Sequence, residues 1–115
     1  MGRPRSTKRM MEVKLEVPMF AMLCKWTQMR AENPDKIAET TEKSRKIAES
    51  LGIKSVASIY TMGQYDVVGI GEAPSDEAMT KYALAVGKLG AVRTETLKGY
   101  TYEEFTKLIK ELPNP

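Results

Sequence analysis

A chain of 115 residues with 42% hydrophobic and 29% charged side chains has room for one modest core and is too apolar for wholesale disorder. It contains no histidine and a single cysteine, Cys24, which excludes an internal disulfide, a Ser-His-Asp triad and the usual zinc sites. The formal charge of +3 belongs to an arm: residues 1–18 hold five basic against two acidic side chains, and the rest of the chain balances, so no basic face of the body is expected to track phosphates.

Residues 1–12 read as a flexible basic arm carrying Arg3, Arg5, Lys8 and Arg9. No aromatic residues interleave with these charges, so a nucleic-acid partner is not expected. Glu12, Lys14 and Glu16 interrupt the place where the apolar segment of a secretory signal would follow. The longest apolar stretch, VPMFAMLC at 17–24, is far short of the roughly 20 residues of a membrane span. A cytoplasmic protein with no membrane partner is the expectation, and the lone thiol suits a reducing compartment.

Residues 13–115 read as one domain. MFAMLCKW at 19–26 is apolar on both alternating faces, the pattern of a strand buried on both sides. ENPDKIAETTEKSRKIAESLG follows. There Asn33 is placed to cap, Pro34 takes the first helical position and Asp35 faces the positive end of the dipole. Ile37, Thr41, Ser44, Ile47, Ala48 and Leu51 form the inner stripe, and Glu39–Lys43 and Glu42–Lys46 are expected to pair outside.

IKSVASIYT at 53–61 alternates and ends in a short turn with the glycine a hairpin needs, Gly63. YDVVGIGEA at 65–73 is the returning strand, with no polar residue between Asp66 and Glu72. Its glycines Gly69 and Gly71 leave room for close approach of a helix or of a second chain. The segment GIGEAPSDE mimics a dinucleotide fingerprint, but Pro74 stands where the third glycine belongs and the acidic helix start would repel a pyrophosphate. Ser75 caps a second helix, whose buried stripe is Ala78, Tyr82, Ala85, Val86 and Leu89. AVRTETLKG at 91–99 is the last strand, and TYEE at 101–104 is a capping box opening a short helix that Pro113 stops.

The order β-α-β-β-α-β plus a C-terminal helix is the ferredoxin-like plan, an α+β fold with an antiparallel sheet in the order 4-1-3-2. Strands one and three are then central, and they are the two that are apolar on both faces. Two crossover helices cover one face only, so the other would expose a contiguous apolar patch. A second subunit packing sheet to sheet resolves this, and a homodimer is expected.

Four ordered blocks, LCKWT at 23–27, GQYDVV at 63–68, EAPSDEAM at 72–79 and LGAVRTETLKGYTYEEF at 89–105, resemble the GYD-domain family, a largely uncharacterised group of small bacterial and archaeal proteins. The namesake pattern corresponds to Gly63, Tyr65 and Asp66. The resemblance covers residues 19 to about 110 and leaves out the N-terminal extension. It implies a dimeric α+β barrel in which two ferredoxin-like units enclose a space between their sheets. Similar barrels include cofactor-free monooxygenases, isomerases and ligand-sensing domains, so the fold does not select the chemistry.

With that strand order, Lys25, Trp26, Tyr60, Tyr65, Asp66 and Arg93 meet at one edge of the sheet. Such a cluster at the mouth of an apolar space suits an anionic or carbonyl-bearing small molecule. The structural alternative has Asp66 accepting turn amide hydrogens and pairing with Lys25 while the aromatics pack. The leading expectation is a homo-oligomer binding an unidentified small molecule without metal or prosthetic group. The rival is a cofactor-independent enzyme, of isomerase or monooxygenase type, using Asp66, Tyr65 or Lys25 to move a proton. Cys24, mid-strand among Met22 and Leu23, reads as inert core.

Overall fold

Strand β1, Met19–Trp26, organises the domain, and the computed structural model describes residues 17–115; the basic arm of residues 1–12 lies outside them. After β1 the chain forms α1 (Gln28–Glu32), a 3-10 turn (Pro34–Lys36), α2 (Ile37–Ser50), β2 (Lys54–Tyr60), β3 (Val67–Glu72), α3 (Asp76–Lys88), β4 (Val92–Gly99) and α4 (Tyr102–Lys110). The strands make one α+β sheet in the order β2-β3-β1-β4, and every neighbouring pair is antiparallel.

Side-chain alternation along β1 sorts the protein into two faces. Phe20 and Met22 point to the helices and are buried with Ala73 and Met79, and Cys24, Ile53, Tyr82 and Ala83 pack around them. Ala21 and Leu23 point the other way. Register places Ala21 between Ile70 and Leu97, Leu23 beside Val68, and Val68 beside Ile59. This apolar row stays open: Ile70, Leu97 and Ile59 are 42%, 49% and 58% exposed.

Two of the helices, α3 and α4, carry the side-chain caps the sequence offers. Ser75 Oγ accepts the amide of Ala78 at 3.1 Å and Asp76 and Glu77 occupy the first turn of α3, as the Ser-Asp-Glu order requires. Met79, absent from the expected stripe, is buried on α3 together with Val86. The Thr101 capping box is complete, with Glu104 N–H donating to Thr101 Oγ1 at 3.1 Å and Thr101 N–H donating to Glu104 Oε1 at 2.9 Å. Asn33, by contrast, gives no side-chain cap to the turn that follows and instead closes the C-terminus of α1, its backbone N–H donating to the Arg30 carbonyl at 3.1 Å. Its side-chain amide turns back to donate to the Met29 carbonyl at 2.9 Å, one of the carbonyls left without an intrahelical partner because residues 28–32 coil into α1. On α2 the Glu39–Lys43 pair forms at 3.2 Å, but Glu42 takes Arg45 at 2.8 Å instead of Lys46. Thr40 is half-buried in place of Thr41, which is exposed.

Gly71 has a different neighbour from the one expected. A Cβ there would lie 2.9 Å from the carbonyl oxygen of Lys54, so the crowding comes from β2, where the register shifts between Ser55 and Ala57, and not from a helix. Helix α4 packs on little of its own chain. Tyr102, Phe105, Leu108 and Ile109 form an apolar stripe at helical spacing, yet Tyr102 is 81% exposed and Phe105 55%.

Candidate functional site

The hairpin between β2 and β3 is closed by backbone and short side chains. Thr61 N–H donates to the Asp66 carbonyl at 2.8 Å and Thr61 Oγ1–H to the Tyr65 carbonyl at 2.7 Å. Gly63 carries the turn at φ +109°, a conformation that side chains resist. Asp66 N–H donates to the Cys24 carbonyl at 2.8 Å, while its carboxylate accepts the Trp26 amide at 2.8 Å. The acid therefore continues the β1–β3 ladder by one bond after the strands part.

The Asp66 carboxylate thus accepts an amide hydrogen from β1, and only the residue's backbone carbonyl takes one from its own turn. The expected Lys25–Asp66 ion pair does not form among the described residues. Lys25 instead holds its ammonium 5.6 Å from the centroid of the Tyr65 ring, a cation–π distance. Tyr65 donates its hydroxyl to Glu95 Oε2 at 2.7 Å, and that bond, which the phenolate would lose, raises the Tyr65 pKa. Glu95 was absent from the expected cluster; its place on β4 two residues from Arg93 was the signal available.

The six expected residues meet at one end of the sheet but divide between its faces. Lys25 and Arg93 are register partners on the helix-free face, with Tyr65 and Glu95 beside them. Trp26 and Tyr60 lie on the helix face, their ring centroids 6.4 Å apart at 41°, and Tyr60 shares a 3.2 Å hydrogen bond with Thr41. Asp66 stands between the two groups.

A cavity of about 270 Å³ opens on the helix face, between α2 and the sheet. Met22, Trp26, Ile37, Val67, Tyr82 and Val86 supply much of its apolar wall. Cys24 lines it too, and burial pushes the thiol up to about 11, so it is not a nucleophile at neutral pH. Burial likewise raises Tyr82, with Cys24 adding to it. Arg30 on α1 also reaches this wall; it is only 8% exposed. No group of acidic, cysteine or histidine side chains able to hold a metal occurs among the described residues.

A four-stranded antiparallel sheet, helices laid on one face, and a hairpin whose acid ties it to the central strand define a small α+β protein with an open sheet surface and an interior cleft. The chain belongs to the GYD domain family, whose model matches residues 20–109. It is also similar to a protein of Thermus thermophilus named glutamine synthetase and cystathionine beta-lyase binding protein, with 26% identity over 98 residues that cover 82% of this chain and all of the relative. In this chain the family's Gly-x-Tyr-Asp pattern has a physical role for each member: Gly63 turns the hairpin, Tyr65 reaches Glu95, and Asp66 holds Trp26.

Proposed function

We propose that this chain is a small cytoplasmic binding protein that works as a homodimer and takes a small molecule as ligand. In this reading two ferredoxin-like units pair sheet to sheet as a dimeric α+β barrel. The observation that carries it is the open row of Ala21, Leu23, Ile59, Val68, Ile70 and Leu97 on the two central strands and their neighbours, with Ile70 and Leu97 nearly half exposed. A lone domain rarely leaves so continuous an apolar patch in water. A standard interface buries about 800 Å² on each partner, and the exposed stripe of α4 adds to the apolar surface available. Light scattering at micromolar concentration tests it. The wild type should run as a dimer or larger, and Ile70→Glu with Leu97→Glu should leave a folded monomer; a monomeric wild type overturns the pairing.

A protein partner is the second reading, favoured by the exposed apolar stripe of α4. The Thermus relative is named for binding two enzymes, and a projecting amphipathic helix is a common docking element. Phe105→Ser with Ile109→Ser should then lose capture of glutamine synthetase or cystathionine beta-lyase from the same source even at concentrations where the variant is still dimeric. The cofactor-independent enzyme has less support, since two of the three groups that would move the proton, the Asp66 carboxylate and the Tyr65 hydroxyl, are already engaged by Trp26 and Glu95, and the third, Lys25, lies over the Tyr65 ring.

A further inference from the structure

Arg30 is the one charged side chain buried among the described residues, and its charge is unanswered. Nη1 donates to the Asn33 carbonyl at 3.3 Å, a long bond to a neutral acceptor. Nε has no hydrogen-bond partner, and no carboxylate lies within ion-pairing distance among the described residues. A guanidinium stays protonated at any pH the protein meets. Burying it without an anion is therefore a standing cost that native proteins seldom carry.

The cavity beside it has the complementary character. Its walls include Trp26, Met22 and Val86, while Thr40, Ser44 and Ser58 bring hydroxyls. Arg45 also reaches it, already paired to Glu42 at 2.8 Å. No aspartate or glutamate lines it. Two cations, no acid and a mostly apolar wall describe a site for an anion with a hydrocarbon body.

We infer that the cleft between α2 and the sheet binds a small apolar carboxylate, held by the Arg30 guanidinium. Nε is shut away from solvent and Nη1 donates to the Asn33 carbonyl, so Nη2, which makes no hydrogen bond among the described residues, is the nitrogen left to meet the carboxylate through a charge-assisted bond. A volume of about 270 Å³ equals the space of about nine waters at roughly 30 Å³ each, which suits a molecule of about ten non-hydrogen atoms. This deepens the small-molecule half of the proposed function and is independent of its dimer half.

The single tryptophan, Trp26, lies in the cavity wall and reports occupancy by its fluorescence. Octanoate is the probe, and octanamide, of the same length and without charge, is its control. Octanoate should shift Trp26 emission at a concentration at least tenfold below octanamide. Arg30→Met should abolish that preference while melting no lower than the wild type, because it removes an unpaired buried charge. Arg30→Lys, which keeps the charge on a shorter side chain without the planar guanidinium, should retain only part of the preference. Equal titration by the two probes in the wild type overturns the site, as does a preference that survives in Arg30→Met. An Arg30→Met protein that melts well below the wild type makes Arg30 a structural residue and overturns it too. Light scattering on the same samples keeps the two proposals apart: a monomer that still prefers octanoate defeats only the dimer, and a dimer indifferent to octanoate defeats only the site.

Discussion

The carboxylate of Asp66 accepts the backbone amide of Trp26 at 2.8 Å, across 40 residues of chain. β1 continues past its last β3 partner, Cys24, so without Asp66 this amide would face β3 with nothing to receive it. Asp66→Ala should cost about 1–3 kcal/mol, the usual penalty for orphaning a part-buried donor. Asp66→Asn keeps an acceptor oxygen and should cost less. Urea unfolding measures both; an alanine variant as stable as the wild type would show that water serves the Trp26 amide equally well.

Gly69 and Gly71 sit two apart on β3 and should respond oppositely to the same change. The Cβ of Gly71→Ala would stand 2.9 Å from the Lys54 carbonyl oxygen, against 4.0 Å from the Ala57 carbonyl oxygen for Gly69→Ala. Backbone is the rigid neighbour at both, so Gly71→Ala should destabilise by about 1–3 kcal/mol. Gly69→Ala should be neutral or stabilising by up to about 1 kcal/mol through the unfolded chain. Thermal melts that rank the two variants the other way would contradict this placement of β2.

Cys24 should be a slow thiol. With its pKa raised to about 11, only about one molecule in a thousand carries the thiolate at pH 8, and iodoacetamide should label the folded protein far more slowly than the urea-unfolded chain. The same shift fixes a pH dependence. The folded state keeps a proton that the unfolded chain gives up above its ordinary value of 9.0. Stability from this group is therefore whole below pH 9 and lost as pH climbs toward 11. Tyr65 and Tyr82, both raised above 10.0, extend the decline upward. Cys24→Val should flatten the pH 9–11 portion, measured as urea midpoints; an unchanged slope would assign the decline elsewhere.

Helix α4 should matter more to assembly than to folding. Phe105 and Ile109 are 55% and 52% exposed, so Phe105→Ala with Ile109→Ala removes little buried area. The stability of the isolated domain should change by no more than about 1 kcal/mol, near the range of surface substitutions. A shift in the dissociation midpoint of the proposed dimer, seen by dilution in light scattering, is the expected effect. A large loss of monomer stability would mean that α4 belongs to the domain's own core.

Interactions that span a few residues were plain from composition and spacing. The two-faced apolar character of β1 and β3, the Ser75 cap, the Thr101 box and the positive-φ turn at Gly63 all follow from side chains within about four positions of one another. α1 escaped notice because QMRAE has no side-chain cap at Thr27 and is too short for a period to show. With it went Arg30, the residue the cavity turns on. The candidate cluster at the sheet end was legible as a neighbourhood and not as an arrangement. Which face each member takes, which amide Asp66 receives and how far α2 stands off the sheet depend on contacts between segments tens of residues apart. Short-range hydrogen bonding is encoded in adjacent letters, whereas the spacing of layers is set by the sum of every side chain between them, and no one stretch of chain contains that sum.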